Sequence, residues 1–472
     1  MKRASRIPAT VRALNRAELG VIGFCALGAG NVWIRVGGGN VVTAPSPGGF
    51  ILGFALLVAT AGLCYLASGR PAAMPGALVC TVAIAVQTLG QPVVLPPAAA
   101  MYLTGLTLAA VPLLRSPRQA WLLLGACALA VTFTIAHAWT WGYAPIDVFD
   151  EVQGSTQAFL HGQNPYVPVY PILLDSYGAH QVFGSGSLNY GPMVIILSIP
   201  ARLVGDVRLT VVALNVAILA AVVMWTRRAA GSHRHSATIA ALWLASPFLP
   251  FMILTEWTDT FCVAGMAWWL VLRDRHRNWA IATLTVGLAC KPTMLAVMVP
   301  LAFWNSAVRG ELLRAAVATV AIVAPFAIWT GVPQFVYDTV GIYGDLPGRH
   351  DAANLNGLLH VFGNAPIPAT VLLVGVVAAV VVFTLRRCRD YGDLLVAGAG
   401  LLIVACIFAK QAFLNYYFSA AIALLFVAGA GRMVPRGGLT WPALVRRVLG
   451  SRLPRVPGAR RRPPAGAGSA AD

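Results

Sequence analysis

The sequence predicts an all-α polytopic membrane protein, a bundle of about 14 transmembrane helices, and three observations predict it. Of its 472 residues, 58% are hydrophobic and only 11% are charged, too few to clothe a soluble domain of this size in polar surface. Apolar stretches near the ~20 residues needed to cross ~30 Å of hydrocarbon recur from residue 19 to residue 430. Arginines stand at the ends of these stretches, yet no lysine or arginine occurs between Arg118 and Arg202. In a chain of net charge +18, that gap marks a segment facing away from the cytoplasm.

Arg3 to Arg16, Arg70, Arg115 and Arg118 set the cytoplasmic side of the first five spans, near 19–36, 48–67, 76–93, 97–114 and 119–141. The first follows a basic stretch without a convincing cleavage site, so it is expected to be retained as a helix. The fifth opens onto an extracytoplasmic loop, 142–189. The run 190–206 is short, broken by proline and closed by Arg202 and Asp206, which predicts an interfacial or partly re-entrant helix. Residues 207–226 then cross to Arg227, Arg228 and Arg234. Spans near 236–254 and 260–272 place Glu256, Trp257 and Asp259 outside. The run 278–304 has basic residues at both ends, which predicts a hairpin of two short arms turning near Lys291 and Pro292. Spans at 312–330, 367–385, 393–409 and 413–430 complete the bundle, with 331–366 and Lys410 outside. Three regions follow: an N-terminal four-helix membrane module (1–118), a core (119–430), and a basic cytoplasmic tail (431–472) with no expected fixed structure.

Only three of the 34 basic residues are lysines, Lys2, Lys291 and Lys410. The arginine, alanine, glycine and proline bias points to a GC-rich bacterial genome, and so to a bacterial inner membrane. A nucleic-acid partner is not expected, because retention on the cytoplasmic side accounts for arginines clustered at helix ends and in the tails. The eight cysteines show neither metal nor disulfide spacing. Seven lie in or beside apolar segments and read as small core residues, while Cys388 sits among Arg386, Arg387 and Arg389. No metal and no cofactor are expected.

This topology gathers Asp147, Asp150, Glu256, Asp259, Lys291, Arg349, His350 and Lys410 at the extracytoplasmic face. A lysine at the edge of hydrocarbon needs a partner, for which an anionic headgroup is a candidate, or else snorkels to the interface. Asp150 and Glu151 read as a solvated helix face, with Asp150 one turn from Asp147. Asp147 itself reads either as a cap for a helix starting near Val148 or as a reactive carboxylate. Tyr190, Tyr416 and Tyr417 read as interfacial aromatics or as ligand contacts.

The loop carries a more specific signal. Residues 146–166 read IDVFDEVQGSTQAFLHGQNPY, and after a variable stretch comes NYGPMVIILSIPARLVGDVR. This pattern resembles the polyprenol-phosphate-sugar-dependent glycosyltransferases of the GT-C superfamily, especially the bacterial families close to glycosyltransferase family 87. In these, an early extracytoplasmic loop has an aspartate beyond a membrane helix, a Gly-x-Asn-Pro-Tyr-like turn, and a Tyr-Pro-Pro-like element opening an interfacial helix. Asp147, Gly162-Gln163-Asn164-Pro165-Tyr166 and Tyr190-Gly191-Pro192 match, and KQAFLNYYF (410–418) is similar to a later family segment. The resemblance covers about residues 119–430. It departs in the four spans that precede the core and in glycine standing for the first proline at 191.

The resemblance implies a GT-C-like bundle with an extracytoplasmic catalytic loop and interfacial helix. It implies transfer of a monosaccharide, mannose or arabinose, from a polyprenyl-phosphate-linked donor to a glycolipid or glycan acceptor of the cell envelope. Such transfer needs a base for the acceptor hydroxyl and cations for the departing phosphate. Asp147 is the expected general base. Lys410, Lys291, Arg349 and His350 are the expected phosphate contacts. Asp150, Asn164, Tyr166, Tyr190, Glu256, Asp259, Asn415 and Tyr416 are the expected substrate contacts. A lipid or glycan transporter or flippase, and a non-catalytic envelope-assembly subunit, are the rival readings; the absence of an internal repeat and the one-sided ionisable groups count against the transporter.

Overall fold

Apolar segments in hydrocarbon satisfy their backbone amides within the segment, and helices do this among the described residues. The structure is a computed structural model that describes residues 14–37, 47–68, 75–89, 98–140, 147–167, 188–291, 306–342, 352–363, 367–384, 391–409 and 412–430. Lys410, Arg349, His350 and the tail 431–472 lie outside the described residues.

The helices, numbered in chain order, begin with α1 (Arg16–Gly37), α2 (Pro47–Ala67), α3 (Ala77–Leu89), α4 (Ala98–Ala110) and α5 (Pro117–Thr140). Then follow α6 (Asp147–Leu160), α7 (Pro192–Val204), α8 (Arg208–Ala230), α9 (His233–Leu244), α10 (Phe248–Leu254), α11 (Asp259–Leu272) and α12 (Arg277–Cys290). The last are α13 (Ser306–Thr330), α14 (Val332–Val336), α15 (Leu355–Val361), α16 (Ala369–Thr384), α17 (Tyr391–Ile407) and α18 (Leu414–Gly429). No strand occurs among the described residues.

Punctuation follows local chemistry. Proline opens α5 and α7, where its missing N–H has no helical partner to lose. Gly231, at φ 64°, ends α8 by donating to the Arg227 carbonyl, and Ser232 then caps α9 by accepting from the His235 amide.

Five helices, α1, α2, α5, α8 and most of α13, are long and apolar enough to cross a membrane, and α9 with α10, bent by 54°, makes a sixth. The chain is a helical membrane protein. Helices of full spanning length are fewer among the described residues than the about 14 suggested by apolar runs. Several runs are cut shorter, as in α3, α7, α11, α17 and α18. The 13 residues of α7 reach about 20 Å, short of the hydrocarbon thickness.

The two ends of the bundle differ in chemistry. At one end arginines find partners. Arg16 of α1 lies 2.6 Å from Asp393 of α17, both buried. Glu311 of α13 meets Arg273 at 3.5 Å and Arg277 at 3.3 Å. Arg228 donates to the Val271 carbonyl and Arg234 to the Pro112 carbonyl. The opposite end carries the loop motifs, with the Lys291–Asp259 and Arg208–Asp206 pairs.

The described helices of 1–118 share one core with those of 119–430. The spanning part of α1 is 72% buried, with Gly20 against the backbone of α18 and Gly28 against Pro247. A Cβ on Gly53 of α2 would collide with the Gly30 carbonyl of α1, so these two backbones touch through glycine. By contrast, α13 turns Leu313, Val317, Val320 and Ile328 outward, an apolar stripe suited to lipid.

Candidate functional site

The site end is assembled from segments more than 250 residues apart in sequence. Asp147 lies in the first turn of α6 among the described residues. Gln153, two turns on, accepts from the Val207 amide at 3.1 Å and donates to the Gly205 carbonyl at 2.9 Å. These bonds fasten α6 to the turn between α7 and α8.

The solvated face expected for Asp150 and Glu151 is not what forms. Both are buried, because α6 lies against α7 and turns this face inward. Asn189 donates to the Glu151 carboxylate at 3.3 Å.

After α6, the Asn164 side chain accepts from the Tyr166 amide at 3.0 Å, the Asx-type turn that Asn-Pro-Tyr encodes. Tyr166 is 1% exposed; its ring packs against Phe326 and Phe335, and its hydroxyl donates to the Tyr190 carbonyl at 2.8 Å. Asn164 also exchanges hydrogen bonds with Thr330. Asn164 and Tyr166 therefore tie the loop to α13 and to the start of α7.

Gly191 explains the departure from the proline pattern. Its N–H donates to the Cys290 carbonyl at 2.8 Å, which proline cannot do, and a Cβ there would collide with the Ala289 carbonyl. The tip of α12 and the start of α7 thus meet backbone to backbone.

Lys291, at that tip, places its Nζ 3.0 Å from Asp259 Oδ2. The Asn415 side chain donates to the same oxygen at 2.7 Å. The Tyr416 ring centre lies 4.7 Å from Nζ and that of Tyr190 5.5 Å. Five of the expected residues, Tyr190, Asp259, Lys291, Asn415 and Tyr416, are so brought into one cluster joining α7, α11, α12 and α18. Lys291 has an intramolecular carboxylate, so it does not wait for an anionic headgroup as its only counterion.

No protein-family model, curated protein or solved structure matches the chain. The functional reading therefore stands on the residues themselves.

A second group lies on the same end. Asp206 accepts from Arg208 Nη2 at 2.6 Å and from Trp139 Nε1 at 3.2 Å. The Arg208 guanidinium stacks over Trp139 at 4.2 Å and Phe149 at 4.9 Å. Glu256, in the turn between α10 and α11, is 0% exposed and adopts φ 55°. Burial pushes its carboxyl well above the usual carboxylate range, with Asp206 adding to the rise and Arg208 opposing it.

Sequence reasoning missed Asp206, Arg208, Trp139, Gln153 and Asn189. An available signal was Asp206-Val207-Arg208 itself, opposite charges two apart where a short helix hands over to a long one. No group of three or more His, Cys, Asp or Glu side chains suited to a metal ion gathers among the described residues.

Proposed function

We propose that the chain is an integral membrane glycosyltransferase of GT-C type with about 14 crossings, moving a monosaccharide from a polyprenyl-phosphate donor to an envelope glycolipid or glycan. Its site end faces away from the cytoplasm of a bacterial cell, the arginine end facing inward. One observation carries the reading: the loop elements Asn164 to Tyr166 and Tyr190 to Pro192 meet the distant Asn415-Tyr416 around Lys291 and Asp259. These are the segments that motif resemblance selects.

In this reading Asp147 takes the proton of the acceptor hydroxyl as its oxygen attacks the anomeric carbon. The carbon–oxygen bond to phosphate breaks through an oxocarbenium-like state, and polyprenyl phosphate leaves with the bonding pair. Lys410, Arg349 and His350 meet the phosphate. Lys291, already paired with Asp259, serves mainly to hold Tyr190, Asn415 and Tyr416 in place. Mannose or arabinose is the sugar transferred.

Depleting the protein tests the reading in cells. An envelope glycolipid or glycan lacking a terminal sugar should accumulate, with polyprenyl-phosphate sugar unspent. An unchanged lipid-linked sugar pool, with accumulation of an intact product on the cytoplasmic leaflet, would favour a flippase instead.

A further inference from the structure

Glu256 breaks two rules at once. Its side chain is wholly buried, and neither carboxyl oxygen has a hydrogen-bond partner among the described residues. Folded chains rarely leave a buried polar group in that state. Its backbone stands at φ 55°, and Glu256 is the one non-glycine residue with positive φ among those described. A side chain with a Cβ adopts this region at a cost, and such outliers gather at functional sites. Glycine at 256 would relieve the backbone and leucine would relieve the burial, so packing alone does not favour glutamate.

The surroundings narrow what could meet it. The cation that acts on it electrostatically, Arg208, is already bound to Asp206 through Nε and Nη2 and stacked on Trp139. Asp259, three residues on, is likewise committed to Lys291 and Asn415. A phosphate would be repelled by the neighbouring carboxylates, and a metal ion finds no cluster of further ligands among the described residues. A neutral, polyhydroxylated group has the matching chemistry: it brings its own donors and acceptors to a carboxyl that lacks both.

We propose that Glu256 binds hydroxyl groups of the transferred sugar and is a specificity-determining residue of the site. This rests on the transferase reading and deepens it. The two oxygens of one carboxyl can span adjacent hydroxyls of a pyranose or furanose ring. The strained turn at 256 fixes where that carboxyl points, while Asp259 anchors the next turn of chain through Lys291.

The test uses the full chain in lipid nanodiscs with polyprenyl-phosphate mannose, polyprenyl-phosphate arabinose and their monodeoxy analogues. The parent should discriminate against at least one deoxy donor by ~10-fold or more in kcat/KM. Glu256→Leu should bring the intact donor down to that level and abolish the discrimination, while Glu256→Gln, which keeps a donor and an acceptor, should retain most of it. Glu256→Leu should also melt at or above the parent, as expected when an unsatisfied buried polar group is removed. Retained discrimination in Glu256→Leu, equal loss in Glu256→Gln, or a clearly lower melting temperature would each overturn the proposal. Donor-induced melting shifts separate it from the transferase reading. If the parent is stabilised by donor without turnover, the transferase reading fails, and loss of that shift in Glu256→Leu still supports the sugar contact. If the parent neither binds nor turns over any donor, both fall.

Discussion

The Lys291 ammonium and the Asp259 carboxylate lie 3.0 Å apart, each side chain 5% exposed, where α12 ends and α11 begins. Removing one member of a buried pair leaves the other charge uncompensated, which typically costs ~3–5 kcal/mol. Lys291→Met should therefore lower the melting temperature markedly, and adding Asp259→Asn should restore much of the loss. Thermal unfolding of the single and double variants in nanodiscs measures this. Additive losses would show that the pair is not coupled.

Gly191 should tolerate neither alanine nor proline. Alanine drives a Cβ into the Ala289 carbonyl, and proline removes the N–H that the Cys290 carbonyl accepts from. Each should destabilise by at least about 2 kcal/mol, by overpacking and by an orphaned buried carbonyl. A Gly191→Pro variant that melts like the parent would contradict the close approach of α7 and α12.

The two ends of the bundle should label from opposite sides of the membrane. Ser155 lies inside the loop read as extracytoplasmic but is 0% exposed, so it makes a poor probe, whereas Gln163 is exposed. The seven cysteines among the described residues are buried, so replacing Cys388 leaves little background. A membrane-impermeant thiol reagent should label Gln163→Cys in intact cells with a permeabilised outer envelope, and Arg275→Cys only after lysis. The reverse pattern would invert the topology.

The sequence carried the helical membrane class, because hydropathy is a local signal. It also carried the Asn164-Pro165-Tyr166 turn, whose hydrogen bond spans two residues. Pairings between distant segments were not legible. Nothing near Lys291 in sequence announces Asp259 as its partner, and Glu151 reads as solvated until α7 is seen to cover it. The glycine at 191 looked like a local departure from a proline motif and is a contact with α12. The sequence likewise has no sign of the φ 55° at Glu256, since tertiary packing imposes it.

Asp147, in the first turn of α6, is proposed as the base for sugar transfer at this end of the bundle. The most direct measurement is release of polyprenyl phosphate, and gain of sugar by acceptor, with purified parent and Asp147→Asn. Asparagine keeps the size and much of the capping capacity of aspartate but takes up no proton. Parent turnover with a loss of ~100 to 10,000-fold in Asp147→Asn, at an unchanged melting temperature, is the expected result. Turnover by Asp147→Asn near that of the parent would contradict the account.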